Sequence, residues 1–431
     1  MSSRPQPIAR LAALTPATLL LWLLAAVAVA WFLWRVLLPS VGYASFGFPS
    51  YYTSAQLVLA GELDARIYDD AWFQAQERQR GLRDDIYGTQ PPTMALLMLP
   101  VAWLPPATAR AVWLALDLLW LALIGLLALR SAAAFGAHPT AITVPLMLIL
   151  VASFPPLRAE LRYAQVHTLM ALWYALWLYG FVTRRAWLCG LALALLAMAK
   201  LAGAPLWLVL LAAQRWRAFA WAVGLTLAGL LVTLPLVGLD TWQAYLFGRV
   251  GDLGANPVFG VTALQTLASL LRQLFVYDPS YTPAPLLNAP LLAIGLWIAL
   301  AAACVGRTVL GAQRHAPLLT GAAALCFIAP LQPAGEQHHY VMLLTPLFVA
   351  LLLAPWLMPA TPLTALPMAL GAALLLAPSY FLDNAAWAGW PRALLAYPRV
   401  YGALLIWGGF MLWRAALASQ ASPAPTLRGA P

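Results

Sequence analysis

Apolar runs of helical length recur along almost the whole chain, beginning near Leu19 and broken only by proline, glycine and arginine clusters. A run of about 20 apolar residues, once helical, matches the ~30 Å hydrocarbon core of a bilayer and satisfies all its backbone groups internally. The ten-residue alternation of an outer-membrane barrel is not seen in these runs. With 63% hydrophobic and only 9% charged residues over 431 positions, a soluble domain is excluded. The chain therefore reads as an all-α polytopic membrane protein.

The formal charge of +10 would point to nucleic acid in a soluble protein. Here the arginines lie mainly in short turns between apolar runs, where they fix topology and meet anionic headgroups. No nucleic-acid partner is implied. Cys189, Cys304 and Cys326 all fall inside apolar runs without paired spacing, so they form neither a disulfide framework nor a metal site.

The first span, about 19 to 38, follows Arg4 and Arg10 and is too long for a removed signal peptide, so it reads as an uncleaved anchor with a cytoplasmic N-terminus. The polar stretch 39 to 91 then forms a long outer loop and carries seven of the fourteen acids: Glu62, Asp64, Asp69, Asp70, Glu77, Asp84 and Asp85. Within it, Pro49 and Gly61 punctuate a helix over 49–60 that places Tyr51, Tyr52, Ala55, Val58 and Leu59 on one face. Such an amphipathic helix suits the bilayer surface, either as an anchor for the loop or as one wall of a lipid-facing site.

Arg184 with Arg185, Arg215 with Arg217, and Arg307 with Arg314 read as cytoplasmic anchors. Parity then excludes one of the early apolar runs as a crossing. The short run at 92–104, flanked by prolines, reads as a re-entrant or surface helix, and the polar turn 155–167 falls outside. Further spans are expected near 111–129, 139–154, 167–183, 186–199, 204–213, 218–238, 290–307, 316–331, 341–357, 363–381 and 400–415. The expectation is one membrane domain over 1–415 with about twelve crossings, a disordered cytoplasmic tail at 416–431, and both termini cytoplasmic in the cell membrane.

Four polar constellations share one membrane depth on this map: the 49–60 helix, "RAELRYAQVH", the region of Lys200, and "PAGEQHHY" at 333–340. Lys200 is the only lysine, placed where the backbone is expected to break at Gly203 and Pro205. An unpaired ammonium in hydrocarbon costs about 2.5 to 3.5 kcal/mol on insertion scales, so it contacts a phosphate, snorkels to the interface or pairs with Glu160. His338 and His339 either close a loop or donate hydrogen bonds to a sugar hydroxyl or phosphate oxygen. Adjacent histidines point apart and lack matched partners, so no metal is expected. Asp117 stands in a span as a helix-to-helix hydrogen-bonding residue or a functional acid. No Walker loop, GxSxG elbow, HExxH helix or dinucleotide fingerprint occurs.

The order "YYTSAQLVLAG", "PPTMALLMLPVAWLPPATARAVW", "AQVHTLMALWYALW", "LCGLALALLAMAKLAGAPLWLVLL" and "CFIAPLQPAGEQHHYVMLLTP" resembles glycosyltransferase family 87, polyprenyl-phosphate-mannose-dependent mannosyltransferases of the GT-C class, over roughly residues 15–350. The family's Gly-Gln-x-Asn turn corresponds to Ala164, Gln165, Val166 and His167, so only the glutamine is kept. Lys200 with Pro205, and His339 with Tyr340, match its lysine segment and late histidine-tyrosine turn. The resemblance implies a GT-C fold and transfer of a sugar, mannose favoured, from a polyprenyl-phosphate carrier to a lipid or glycan acceptor at the outer face, with no cofactor.

On this basis Arg158, Arg162 and Lys200 hold phosphate, Gln165, His167 and His338 bind hydroxyls, and Tyr51 and Tyr52 line sugar or lipid. Glu336, beside His338 and His339, leads Glu62 and Asp64 as the candidate base. The family's aspartate just before the tyrosine helix corresponds to Gly47, which has no carboxylate. The alternative to an enzyme is accordingly a non-catalytic protein that binds or moves polyprenyl-linked glycans.

Overall fold

A computed structural model describes residues 15–421 except 44, 89, 201, 202, 252–255, 311–315 and 358–361. Arg4, Arg10, Arg314 and the tail beyond Ala421 lie outside the described residues. Among those described there is no β-strand, only helices and two isolated bridges.

The chain opens with α1 (Pro16–Phe32), begun at a Thr15 cap and continued by a π turn and a last short turn to Val41. It then forms α2 (Phe48–Ala60), α3 (Asp70–Gln79), α4 (Pro106–Ala134), α5 (Thr143–Ser153), α6 (Pro155–Tyr163), α7 (His167–Val182) and α8 (Ala186–Lys200). The second part contains α9 (Ala204–Ala212), α10 (Trp216–Val237), α11 (Leu267–Phe275), α12 (Pro290–Val309), α13 (Pro317–Cys326), α14 (Leu344–Leu357), α15 (Pro362–Leu376) and α16 (Pro398–Ala421).

Among the described residues, six segments are long and apolar enough to cross a membrane by themselves: Pro16–Val41, Pro106–Ala134, Trp216–Val237, Pro290–Val309, Gln337–Pro355 and Pro398–Ser419. The pair α5 and α6, bent by 56°, makes a seventh if counted as one span. Other crossings expected from the sequence correspond to shorter helices, among them α7, α8, α9, α13 and α15. Of these, α7 and α13 are largely buried against other parts of the protein, where a helix too short to span is tolerated.

Four local expectations change. The 49–60 helix does not lie on a surface: Phe48, Tyr51, Tyr52, Thr53, Ser54, Ala55 and Leu57 are all buried, so protein encloses most of its circumference. Residues 92–104 form two short turns, Pro92–Leu96 and Leu99–Ala102, pinned to α2 by Tyr52 and Gln56 bonding to the Leu104 and Ala102 carbonyls. The polar turn at 155–167 is mostly α6, begun by two prolines and ended by Ala164 in the left-handed region at φ 44°. The tail expected from residue 416 is helical as far as Ala421.

These elements bring one set of ends together. The N-terminus of α2, the α6–α7 turn, the C-terminus of α8 and the segment 336–343, which packs on α6 and α7, converge on one site. Because α7 and α8 are antiparallel, His167 at the start of one and Lys200 at the end of the other sit at the same depth.

Candidate active site

Glu160, His167 and Lys200 form a buried chain. Ala164 reverses the backbone after α6, so the Glu160 carboxylate faces the N-terminus of α7 and its Oε1 accepts from the His167 and Thr168 amides at 2.6 and 3.1 Å. Its Oε2 lies 3.3 Å from His167 Nδ1, and His167 Nε2 lies 3.0 Å from Lys200 Nζ. A consistent assignment has the ammonium donating to Nε2 and Nδ1–H donating to the carboxylate. Lys200 is thus paired with Glu160 through an imidazole, while its other hydrogens stay available.

The late turn completes this wall. His338 and His339 pack against His167 as tilted rings with centroids 4.9 and 4.1 Å apart, and Tyr163 meets His338 edge-on. Glu336 caps the turn: its side chain accepts from the His339 amide, and its own amide donates to His339 Nδ1 at 3.1 Å. The Glu336 carboxylate also lies 3.5 Å from His338 Nδ1. The three imidazoles lie close enough to share a metal ion, their ligand atoms all being within 4.8 Å of one another. Both nitrogens of His167 are already engaged, and a cation there would stand next to the Lys200 ammonium. The donor set suits an anion better.

The opposite wall is the start of α2. Gly47 caps that helix at φ 90°, and its amide donates to Asp85 Oδ2 at 2.5 Å. A Cβ at position 47 would stand 2.4 Å from Gln165 Nε2, and Gln165 is itself held by the Tyr51 hydroxyl donating to its Oε1 at 2.9 Å. A side chain at position 47 is therefore disfavoured twice: the backbone conformation strains it, and the Gln165 amide would have to move from its place against Tyr51. The carboxylate found at this helix N-terminus comes instead from Asp85, 38 residues further along the chain.

Asp85 is supported from behind. Its amide donates to Glu77 Oε2 at 2.5 Å, and its Oδ1 accepts from the Ile86 amide. Burial raises the Asp85 carboxyl above its ordinary value, the Gly47 and Ile86 amides offset part of this, and the Glu336 charge adds to it. Burial pushes Glu77 further, to about 8. Burial and then the Glu160 and Asp85 carboxylates hold the Tyr51 phenol well above its usual range, which places Tyr51 between the two walls.

Of the residues expected from sequence, Tyr51, Gln165, His167, Lys200, Glu336, His338 and His339 come together. Others do not. Tyr52 donates to the Leu104 carbonyl, away from the cluster. Arg158 bonds to the Ser153 carbonyl and covers the Trp31 ring, and Arg162 covers Tyr43. Asp64 caps the Ala65–Tyr68 turn and pairs with Arg66, while Glu62 follows the far end of α2. Neither acid can act at Gly47, because about 20 Å of helix at 1.5 Å per residue separates them from it. Asp117 is fully buried in α4 and has no hydrogen-bond partner for either oxygen. Sequence reasoning missed Asp85 because it is one acid among seven in a polar loop; the only signal was a helix start that calls for an acid where glycine stands.

The described residues thus form an all-helical protein with helices long and apolar enough to cross a membrane, and a buried lysine–histidine cluster on one side of a site that has a carboxylate at a helix N-terminus on the other. The chain belongs to glycosyltransferase family 87, which it matches over residues 89–332. It is similar to the polyprenol-phosphate-mannose-dependent alpha-(1-2)-phosphatidylinositol pentamannoside mannosyltransferase of Mycobacterium tuberculosis, with 27% identity over 271 residues, 62% of this chain and 58% of that protein. The protein of the same name from Mycolicibacterium smegmatis is 30% identical over 202 residues, 46% of each chain. The chain thus aligns with about half the length of these curated relatives.

Proposed function

We propose that the protein is a membrane glycosyltransferase that moves a sugar, mannose favoured, from a polyprenyl-phosphate carrier to a lipid or glycan hydroxyl at the outer face of the cell membrane. The observation that carries this reading is the pair of facing walls, a carboxylate at the start of α2 and a cationic, imidazole-rich cluster at the ends of α7 and α8. The names of the mycobacterial relatives support the donor class and the sugar.

In this mechanism Lys200 and the free imidazole nitrogens of His338 and His339 bind the carrier phosphate, and Tyr51 and Gln165 orient the sugar. Asp85 takes the proton of the acceptor hydroxyl. The acceptor oxygen then bonds to the anomeric carbon as the bond from that carbon to the phosphate oxygen breaks. The carrier phosphate leaves with the electron pair, and its growing charge is met by Lys200. A lipid carrier brings its own leaving group, so no nucleotide-binding domain is required. The raised pKa of Asp85 favours a base that accepts a hydroxyl proton, since proton-transfer efficiency rises as the base strengthens.

Asp85 takes precedence over Glu336 as the stronger base: burial raises both carboxyls, but the His338 contact and the His338 and Lys200 charges leave Glu336 below its ordinary value, while Asp85 stays above its own. The binder alternative drew its support from the missing acid at position 47, and the Asp85 carboxylate bonded to the Gly47 amide supports the enzyme reading instead. The purified protein, given radiolabelled polyprenyl-phosphate mannose or glucose and a membrane-lipid extract, is expected to transfer label from the mannose donor to an acceptor. Binding of the carrier without transfer or hydrolysis of either sugar would leave the binder.

A further inference from the structure

At the far ends of α7 and α8 from the histidine cluster lies a cavity of about 420 Å³, lined by Phe181, Arg184, Gln214, Arg215, Trp216 and Arg217 among others. It is formed where two tight turns meet. The α7–α8 turn places Arg184 at φ 59° and the α9–α10 turn places Gln214 at φ 54°, both in the left-handed region. These turns aim the N-termini of α8 and α10 at the cavity, and the first-turn amides of a helix have no intrahelical acceptor.

The charge here is not neutralised from within. No acid occurs between Glu160 and Asp240, and none of the residues lining the cavity is acidic. Among the described residues, Arg184, Arg215 and Arg217 make no ion pair with a carboxylate. Arg215 lies over the Phe181 ring at 5.5 Å, which fixes its guanidinium at the cavity wall. Partial burial, and then the Arg184 charge, lower the Arg215 pKa from its ordinary value. Like charges held this close are best satisfied by an anion between them.

The rim is apolar and has the character of a membrane interface. Trp187 and Trp216 are 53% and 61% exposed on either side, as aromatic residues at headgroup depth are. Leu208 on α9 and Trp221 on α10, each half exposed, add apolar surface on the two helices that the second turn joins. A ligand that fits both parts has a phosphate head and a hydrocarbon tail.

We propose that this cavity is a second phosphate site, which takes the headgroup of an anionic membrane lipid at the end of the bundle opposite the candidate active site. Guanidinium groups bind phosphate oxygens in pairs, and two of them with two helix N-termini supply both charge and direction. The site owes nothing to Lys200 or Asp85, so its occupancy is independent of sugar transfer.

The test uses the full chain purified in detergent, with native mass spectrometry to measure retention of phosphatidylglycerol against phosphatidylcholine of the same acyl chains. One phosphatidylglycerol per protein is expected to be retained where phosphatidylcholine is lost. The Arg184→Gln/Arg215→Gln variant should bind phosphatidylglycerol about 10- to 30-fold more weakly, from roughly fivefold per arginine near a charged surface. Lys200→Met should bind it as the wild type does. Unchanged phosphatidylglycerol binding in the double glutamine variant overturns the proposal. Should that variant fail to fold, equal retention of the two lipids by wild type overturns it as well. Inorganic phosphate at low millimolar concentration distinguishes the source: stabilisation of wild type by phosphate alone, with no preference for phosphatidylglycerol, assigns the cavity to a free anion and overturns the lipid site.

Discussion

At one end of the α7–α8 hairpin, Lys200 reaches a buried carboxylate through His167; at the other, Arg184 and Arg215 line a cavity that no acid enters. The two ends lie about 22 Å apart, 15 residues of α8 at 1.5 Å each. The first end balances its charges inside the protein and spends the remaining donors on a ligand, which suits chemistry, because each group must be held in one geometry while charge moves. The second leaves its charge for the surroundings to neutralise, which suits retention of an anion. A lone arginine at a helix end is a topology signal; three around one cavity, with two helix N-termini, form a binding geometry.

The comparison breaks most completely if the two ends do not lie on opposite sides of a membrane. Cysteine introduced at the exposed Gln79, on the loop that carries Asp85, should react fully with an impermeant maleimide in intact cells. Cysteine at Arg184 or Arg217 should stay unlabelled until the membrane is opened. Labelling of both sets in intact cells would put the two phosphate sites on one face.

Next in size is the effect of the carboxylate. Asp85→Asn should lower turnover by about 10² to 10⁴ with carrier affinity little changed, the range for loss of a general base, and Glu336→Gln should cost much less. Gly47→Asp, which would restore an acid to the helix itself, should lose activity and stability instead of gaining them. Its φ of 90° costs a non-glycine residue about 1 to 3 kcal/mol, and the new side chain would collide with Gln165. A larger loss in Glu336→Gln than in Asp85→Asn would move the base to the late turn.

Lys200→Met should weaken carrier binding about 10- to 150-fold, the equivalent of 1.5 to 3 kcal/mol for a charged hydrogen bond, with Lys200→Arg partly tolerated. Unchanged affinity in the methionine variant would make Lys200 a structural partner of Glu160 alone, and the contrast between the two ends would vanish.

Much of this architecture was legible in the sequence because membrane helices advertise their ends. Pro106, Pro290 and Pro398 open helices near the expected positions, and the break after Lys200 follows from Gly203 and Pro205. Burial was less legible. The face pattern of Tyr51, Tyr52 and Ala55 reads the same whether a helix meets lipid or protein, and only packing by the 92–104 turns and Gln165 reveals that α2 is enclosed. Long-range pairing was least legible. Nothing local marks Asp85 apart from Asp84, which pairs with Arg78 in solvent, yet one turns inward to the Gly47 amide and the other outward. Likewise, the sequence shows Glu160, His167 and Lys200 as separate polar residues, and only the left-handed Ala164 turn aligns them.

The smallest expected effect concerns Glu77, which supports Asp85 from behind and has no counterpart at the arginine end. Burial raises its carboxyl from 4.5 to about 8, so the folded protein keeps a proton that the unfolded chain releases as pH rises past 4.5. Glu77 therefore contributes stability that is complete below pH 4.5 and is lost as pH rises through about 8. Glu77→Gln keeps a carbonyl acceptor for the Asp85 amide but cannot titrate. The melting temperature of the wild type should fall from pH 5 to pH 8 by more than that of the glutamine variant, with a difference on the order of a few degrees. The arginine double variant should follow the wild-type profile, because it leaves Glu77 and its surroundings in place. Parallel profiles for wild type and Glu77→Gln would mean that Glu77 is ionised in the folded state, and Asp85 would then face a second full negative charge that lifts its own pKa further.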